Sequence, residues 1–331
     1  MFIGNKMKIP LLWVFAKQNL IRTFILSTIA VALYQVACFK FIAIPFLPIA
    51  SIGTAVAFYV GFKNNQAYDR LWEARRLWGG ITNTSRTLAA SFMSLIDDKE
   101  IQSAFLKRHL AYINIVRLQL RKTIPWASSK GDYHQRTVAA SEEINEFQTA
   151  LKDLYARFDK SEFYDKMKDQ NNQANHVLKY QFAELTRLKR EKKLDEYEHS
   201  DLTKLLAELY NLQGGCERIK TTPLFRQYSV FSRIFVILFN ALLPFGMLSV
   251  MDDLQSAGEW TIWLTVPFSM LVSWVFYTME QIGEYSENPF DNGINDIPIS
   301  SICRNIEIDI LEMLGEYPLP EKIQPFKEIL L

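Results

Sequence analysis

From Phe41 to Phe62 the chain carries no charged side chain. A bilayer's hydrocarbon core is about 30 Å thick and an α-helix rises about 1.5 Å per residue, so roughly 20 apolar residues cross it. Phe41–Phe62 meets that length, and three further blocks invite the same reading: Phe24–Phe39, which is short and must be extended, Ile234–Met251 and Trp260–Met279. Pro244 and Pro267 fall inside the last two and are expected to kink them, since neighbouring helices can satisfy the freed backbone groups. The competing reading, core helices of a soluble protein, applies best to the first and third blocks, the shortest. It then has to house the uncharged run inside a core that ordinary domains build from mixed faces.

Average composition hides this pattern. With 331 residues, a formal charge of +1 and 22% charged residues, the chain passes for an ordinary soluble protein until the blocks are located. The balanced charge gives no reason to expect a nucleic-acid partner. Cys38, Cys216 and Cys303 are far apart with no CxxC and are expected to be buried free thiols. His109, His134, His176 and His199 are scattered without an HExxH pattern, so no metal centre is expected. No GxSxG, P-loop or Rossmann glycine pattern is present, and the chain is not expected to be an enzyme or to carry a cofactor.

Lys6, Lys8, Lys17 and Arg22 precede the first block, but VACFKF offers no small-residue cleavage site, so that block is read as a retained helix. Lys63, Arg70, Arg75, Arg76 and Arg86 follow the second block, whereas MDDLQSAGEW between the third and fourth has no Lys or Arg. The bias of Lys and Arg towards the cytoplasmic side then puts both termini and the middle of this multi-pass protein on the cytoplasmic side of the cell membrane. The expected division is 1–23 cytoplasmic, 24–62 a first membrane hairpin, 63–229 a cytoplasmic helical region, 230–279 a second hairpin and 280–331 cytoplasmic. Lys63 and Trp260 are expected to anchor span ends at the interface.

The middle reads as amphipathic helix: LAELYNLQGGCERI places Leu206, Leu209, Tyr210, Gln213 and Cys216 near one face. TIPWASSKGD (123–132) reads as a loop and 165–176 as a polar hinge. Strand signals are weak throughout, so the expected fold is all-α, with membrane helices continuing into a helical bundle. Just past the second block, Tyr68, Leu71, Trp72, Arg75 and Trp78 share one helical stripe, while Asp69, Glu73 and Arg76 share another. The aromatic stripe calls for burial. In the charged one, Asp69 and Glu73 repel and Arg76 answers only Glu73, so another element is expected to supply a second cation.

Three stretches resemble one known family. GFKNNQAYDRLWEARRLWGGITNTSR is similar to the segment after the second membrane helix in the bacterial branch of the bestrophins, and QGGCERIKTTPLFRQYSVFSR to that family's lead into the third helix. ENPFDNGINDIPISSICRNIEIDILEMLGE resembles its post-membrane motif. The resemblance implies a homopentamer in the bilayer whose second helices line a central pore passing small monovalent ions, with anions such as chloride the family's usual cargo. A monovalent cation channel of the same architecture and a non-conducting membrane scaffold or sensor remain alternatives. Four helices cannot by themselves enclose and shield a wide aqueous pore, which agrees with assembly around one helix per subunit.

Aligning Phe58 with the family's innermost neck aromatic puts Thr54 and Ala50 on the same face, where the family usually has bulky apolar residues. Either the register differs by a turn or not all three levels form a dewetting gate. Phe58 is then the narrowest apolar ring and Thr54 a wetter one. The family's exit constriction falls at Ser200, Leu202 or Leu205. Tyr68, Asp69, Trp72, Glu73 and Arg76 match its post-membrane packing motif. Animal members bind calcium through a dense acidic run after the NPF element; here Asp291, Asn292, Asn295 and Asp296 offer too few carboxylates for a tight site. Asp296, ahead of Ile297-Pro298, is expected to serve a turn.

Overall fold

The computed structural model describes residues 1, 3–4, 9–122, 146–154, 156–158, 167, 169–254, 258–293, 295–326 and 328–330. Among them every regular element is helical: α1 (Ile9–Gln35), α2 (Phe46–Leu95), α3 (Lys99–Arg121), α4 (Gln173–Arg190), α5 (Glu196–Thr221), α6 (Arg226–Asp252), α7 (Thr265–Tyr285) and α8 (Ile299–Leu314). Short 3₁₀ turns at Lys40–Ile42 and Glu259–Leu264 precede α2 and α7. The loop expected at 123–132 lies outside the described residues. In the expected hinge, Asn172 caps α4, its side-chain oxygen accepting from the Asn175 N–H at 3.2 Å.

The chain divides into two compact units. The hairpin unit comprises Gly4–Arg70 and Pro223–Glu287; the middle unit comprises Met1–Ile3, Leu71–Thr222 and Asn288–Leu331. Helix α2 contributes its first half to one and its second half to the other.

In the hairpin unit α1 packs on α6 and α7, and α6 on α7. Val31, Tyr34, Ile49, Val56, Val60, Phe239, Leu243 and Ile262 form its core. Helix α1 turns polar side chains inward: Asn19 Nδ2 donates to Ser273 Oγ at 3.0 Å, and Thr23 Oγ1 lies 2.9 Å from the same hydroxyl. Its exposed stripe is apolar, made by Ile21, Phe24, Ile25, Ile29 and Leu33. Two glycines permit α2 and α6 to approach. A Cβ on Gly53 would meet Phe239 Cε2 at 2.7 Å, and one on Gly246 would meet Ile49 Cδ1 at 2.5 Å.

Three helical segments, Lys40–Leu95, Arg226–Asp252 and Glu259–Tyr285, are long and apolar enough to cross a membrane. Helix α1 is not among the three, which were sought in the described residues alone. The first hairpin also turns earlier and wider than expected. Helix α1 ends at Gln35 and α2 starts at Phe46, so Phe39 and Phe41 lie exposed in the connection. Cys38 sits there with φ 58°, in the left-handed region that ends helices, and Pro45 disfavours helical backbone at Ile44 before it. Cys38 is exposed, contrary to expectation; Cys216 and Cys303 are buried. Pro267 is the third residue of α7, where no intrahelical N–H is lost, and so kinks nothing, whereas α6 runs on through Pro244.

In the middle unit α3 packs against α4, α5 and α8, and α4 against α5. Its core includes Trp78, Phe92, Phe105, Tyr112, Leu206, Leu209, Cys216 and Ile306, with Phe92 and Phe105 stacked at 4.0 Å. A capping box starts α5: Asp195 Oδ1 accepts from the Glu198 N–H at 2.7 Å and Glu198 Oε2 from the Asp195 N–H at 2.8 Å. The expected face of α5 is buried at Leu206, Leu209, Gln213 and Cys216, with Tyr210 half-buried.

Helix α2 passes Gly79-Gly80 without a break. A Cβ on Gly80 would stand 2.7 Å from Leu212 Cδ2, and one on Gly215 2.7 Å from Leu77 Cδ2. Each helix thus offers a glycine to the other's leucine, which explains Gly80 and Gly215 as close-approach points between α2 and α5; a Cβ on Gly79 or Gly214 would meet nothing within 4 Å.

Candidate ion pathway along the second helix

Helix α2 presents one exposed stripe: Leu47, Ser51, Thr54, Phe58, Phe62, Asn65, Tyr68 and Trp72. Spacings of three and four keep these residues on one side. Phe58 is 70% exposed and packs edge-on against Phe62, with ring centroids 4.8 Å apart. Thr54 is exposed; Ala50 is half-buried, and Ser51 occupies the exposed position nearest it. The two aliphatic hydroxyls on the stripe point their protons into their own helix, Thr54 Oγ1 donating to Ala50 O at 3.1 Å and Ser51 Oγ to Leu47 O at 3.0 Å.

The opposite side of α2 buries Ile49, Val56, Val60 and, unexpectedly, Lys63. Lys63 is 1% exposed and bonds Glu280 Oε1 at 2.7 Å. It is therefore no interfacial anchor: its ammonium faces inward and its charge is neutralised. Asn64 Nδ2 donates to Met279 O at 3.0 Å and Arg70 Nε to Glu287 O at 2.9 Å, tying this side of α2 to the end of the second hairpin. Burial pushes the Glu287 carboxyl above its ordinary range, against the pull of Arg226, Arg70 and Lys63. The exposed side of α2 consequently has no fixed charge from Leu47 until Asp69.

The expected aromatic stripe divides. Trp78 is fully buried in the middle unit's core, whereas Tyr68 and Trp72 stay 60% and 50% exposed. Among the charges, Glu73 pairs with Arg218 of α5 at 2.5 Å, so the cation expected from another element is Arg218 and it answers Glu73. Asp69 and Arg76 are exposed.

Of the three exit candidates, Leu202 is corrected. It is 0% exposed and packs with Leu206 and Leu209 in the core, because it lies on the inward side of the first turns of α5. Ser200 and Leu205 are half-buried. The residues that do project there, Tyr197 and the ion pair of Lys204 with Asp201 at 2.8 Å, carried no motif that would have singled them out.

In the NPF segment Asp291 Oδ1 takes Lys220 Nζ at 2.6 Å and Asn292 Oδ1 takes Arg121 at 2.8 Å. Asp296 is buried, and its Oδ2 accepts the Gly293 N–H at 2.7 Å, closing a turn as expected. Burial, helped by the charge of Asp291, pushes its carboxyl up to about 6. Both carboxylates are thus engaged within the protein.

The family model of bacterial and fungal bestrophin proteins matches residues 15–312. The chain belongs to the bestrophin family. Among curated relatives, a voltage-dependent anion channel-forming protein of Mesorhizobium japonicum is 31% identical over 82% of this chain and 76% of its own length. A voltage-dependent anion channel-forming protein of Escherichia coli K12 is 29% identical, covering 84% and 80%. A crystal structure of a bacterial bestrophin homolog from Klebsiella pneumoniae superposes with a TM-score of 0.76 at 26% identity, covering 91% of this chain and 98% of that one. The bestrophin match takes in the stretches on which the resemblance was first drawn, 61–86 and 213–233 entire and 287–312 of the third.

Proposed function

We propose that this bestrophin is an anion channel, a homopentamer in the cell membrane with one α2 per subunit around a central pathway. The observation that carries the reading is the exposed stripe of α2: large rings and hydroxyls face outward while the single nearby charge, Lys63, is turned inward and paired. A soluble monomer would bury such a stripe, and lipid would not need its hydroxyls. Phe58 forms the narrowest apolar ring, Thr54 a wetter level above it and Ala50 the margin of that face, with Ser200 or Leu205 near the cytoplasmic exit. Tyr68 and Trp72 pack between neighbouring subunits. With no charge ring in the neck, selectivity is set by dipoles, pore size and the vestibules.

Helix α1 serves as the fourth span. Its outward Ile21, Ile25, Ile29 and Leu33 match a lipid face and its inward Asn19, Thr23 and Ser27 a helix bundle interior. The two hairpins, 24–62 and 230–279, cross the membrane with 1–23, 63–229 and 280–331 in the cytoplasm.

One observation favours a cation channel as the second reading: Thr54 and Ser51 spend their protons on their own helix, leaving oxygen lone pairs outward. Planar-bilayer recording under a salt gradient decides. A reversal potential towards the anion equilibrium value is expected; the opposite sign supports the cation reading, and electrical silence a scaffold. The mass of the purified assembly in detergent tests the pentamer.

A further inference from the structure

The hairpin unit contains a cavity of about 260 Å³ between α1, α6 and α7. Its walls combine Arg22 and Arg233 with Asn19, Asn240, Tyr277 and Gln281, and its apolar side includes Leu26 and Ile237. Arg22 is exposed and makes no ion pair among the described residues, while Arg233 lies 4.0 Å from Glu284. Glu280, the carboxylate at the cavity wall, is neutralised by Lys63. Asn240 Oδ1 is buried there with no hydrogen-bond partner among the described residues. A polar atom left unpaired at such a place is destabilising unless an occupant pairs with it.

The cavity sits at one end of the spans. Arg22 falls about 20 Å along α1 before its last residue, and Arg233 about 28 Å before the last residue of α6, at 1.5 Å per residue. Glu280 and Gln281 lie in the last turns of α7, which runs the other way. From Ile237 at the cavity's edge, Ile25, Ile29 and Leu238 continue outward as exposed apolar surface. Two exposed guanidinium groups on a recess whose walls mix amides and a phenol with apolar side chains match an amphiphile that has an anionic head and hydrocarbon tails.

We propose that this cavity binds the phosphate head of an anionic glycerophospholipid, its acyl chains lying along α1 and α6. The inference rests on α1 being a span. Arg22 and Arg233 hold the phosphodiester, Tyr277 and Gln281 supply further hydrogen bonds, and Asn240 meets a donor of the bound head or of a water it traps. Arginine suits this role because its planar fork meets two phosphate oxygens together.

Native mass spectrometry of the full-length protein in detergent, titrated with phosphatidylglycerol or phosphatidylcholine, tests it. Each basic side chain at an anionic lipid head is worth about fivefold in affinity, so Arg22→Gln with Arg233→Gln weakens phosphatidylglycerol binding about 25-fold. Arg22→Lys with Arg233→Lys, which keeps the charge, retains most of it and shows that the loss is not misfolding. Arg190→Gln with Lys192→Gln removes the same charge from the middle unit and leaves binding unchanged. Equal binding of the two lipids, or equal binding by parent and Gln variant, overturns the proposal. So does displacement of phosphatidylglycerol by millimolar inorganic phosphate, which would make the site one for free phosphate. The titration needs no assembled bilayer, so a failure of the span reading is told apart by labelling Lys17→Cys from either side of the membrane in a Cys38→Ser background.

Discussion

His109 offers the sharpest test of the middle unit's packing. It is fully buried on α3 beside Tyr112, with ring centroids 5.6 Å apart, and neither ring nitrogen has a well-formed hydrogen bond among the described residues. Desolvation holds its pKa down at about 4, against an ordinary 6.5; the neighbouring Gln181 amide pulls weakly the other way. Above pH 6.5 neither folded nor unfolded chain protonates it. Below that the unfolded chain binds a proton that the folded one refuses, so stability is lost as pH falls from 6.5 towards 4. At about 1.4 kcal/mol per pH unit the full loss is about 3 kcal/mol. Asp296 opposes it: with its folded pKa raised to about 6 from 3.8, it adds stability as pH falls through that window and partly masks the loss in the parent. The variant His109→Leu separates the two, since it keeps Asp296 and fills the site without unpaired nitrogens. Its thermal midpoint, followed by tryptophan fluorescence in detergent, should equal or exceed the parent's at pH 7.5, and the gap should widen steadily down to pH 4.5. A gap that stays constant across that range would refute a neutral, desolvated His109.

Other outcomes follow from single contacts. Phe58→Ala should raise single-channel conductance or alter rectification in bilayer recordings, and currents matching the parent's would remove Phe58 from the pathway. Lys63→Met leaves Glu280 buried without its cation and should cost about 3–5 kcal/mol, read as a lowered thermal midpoint, while Lys63→Met with Glu280→Met should recover most of it. Gly80→Val drives side-chain carbon into Leu212 and should cost about 1–3 kcal/mol; adding Leu212→Ala should restore part of the loss, and no restoration would argue against this contact as the cause.

The helical class and three of the apolar blocks were legible because a bilayer imposes a length and hydropathy that few other structures require. Their ends were not. Where the first hairpin turns depends on the left-handed backbone of Cys38 and on the restraint from Pro45, and Phe39 and Phe41 are apolar enough to have been read into spans. A second cation from another element could be anticipated, since helix spacing leaves one carboxylate of Asp69 and Glu73 unanswered, but the expectation left Asp69 for it and the structure gives it to Glu73. Which arginine answered which carboxylate depended on the approach of α5, visible beforehand only as two unexplained glycine pairs.

Side is what sequence position conceals, and side decides the electrostatics of the pathway. Lys63 stands one residue beyond the uncharged run, where a snorkelling anchor is the ordinary expectation. Its partner Glu280 is 217 residues away, and only their packing reveals that the lysine faces inward. Had Lys63 pointed out, the proposed pentamer would carry a ring of positive charge at the inner end of its proposed neck and select anions by attraction alone. With it buried and neutralised, the first outward charge is Asp69, of the opposite sign. Anion preference in this bestrophin therefore has to overcome Asp69 and the outward oxygens of Thr54 and Ser51, with the arginines Arg75 and Arg76 one to two turns further on as the nearest exposed cations of α2. Neutralising Asp69 by Asp69→Asn should consequently shift the reversal potential further towards the anion equilibrium value; a shift towards the cation value would mean that Asp69 does not face the ions.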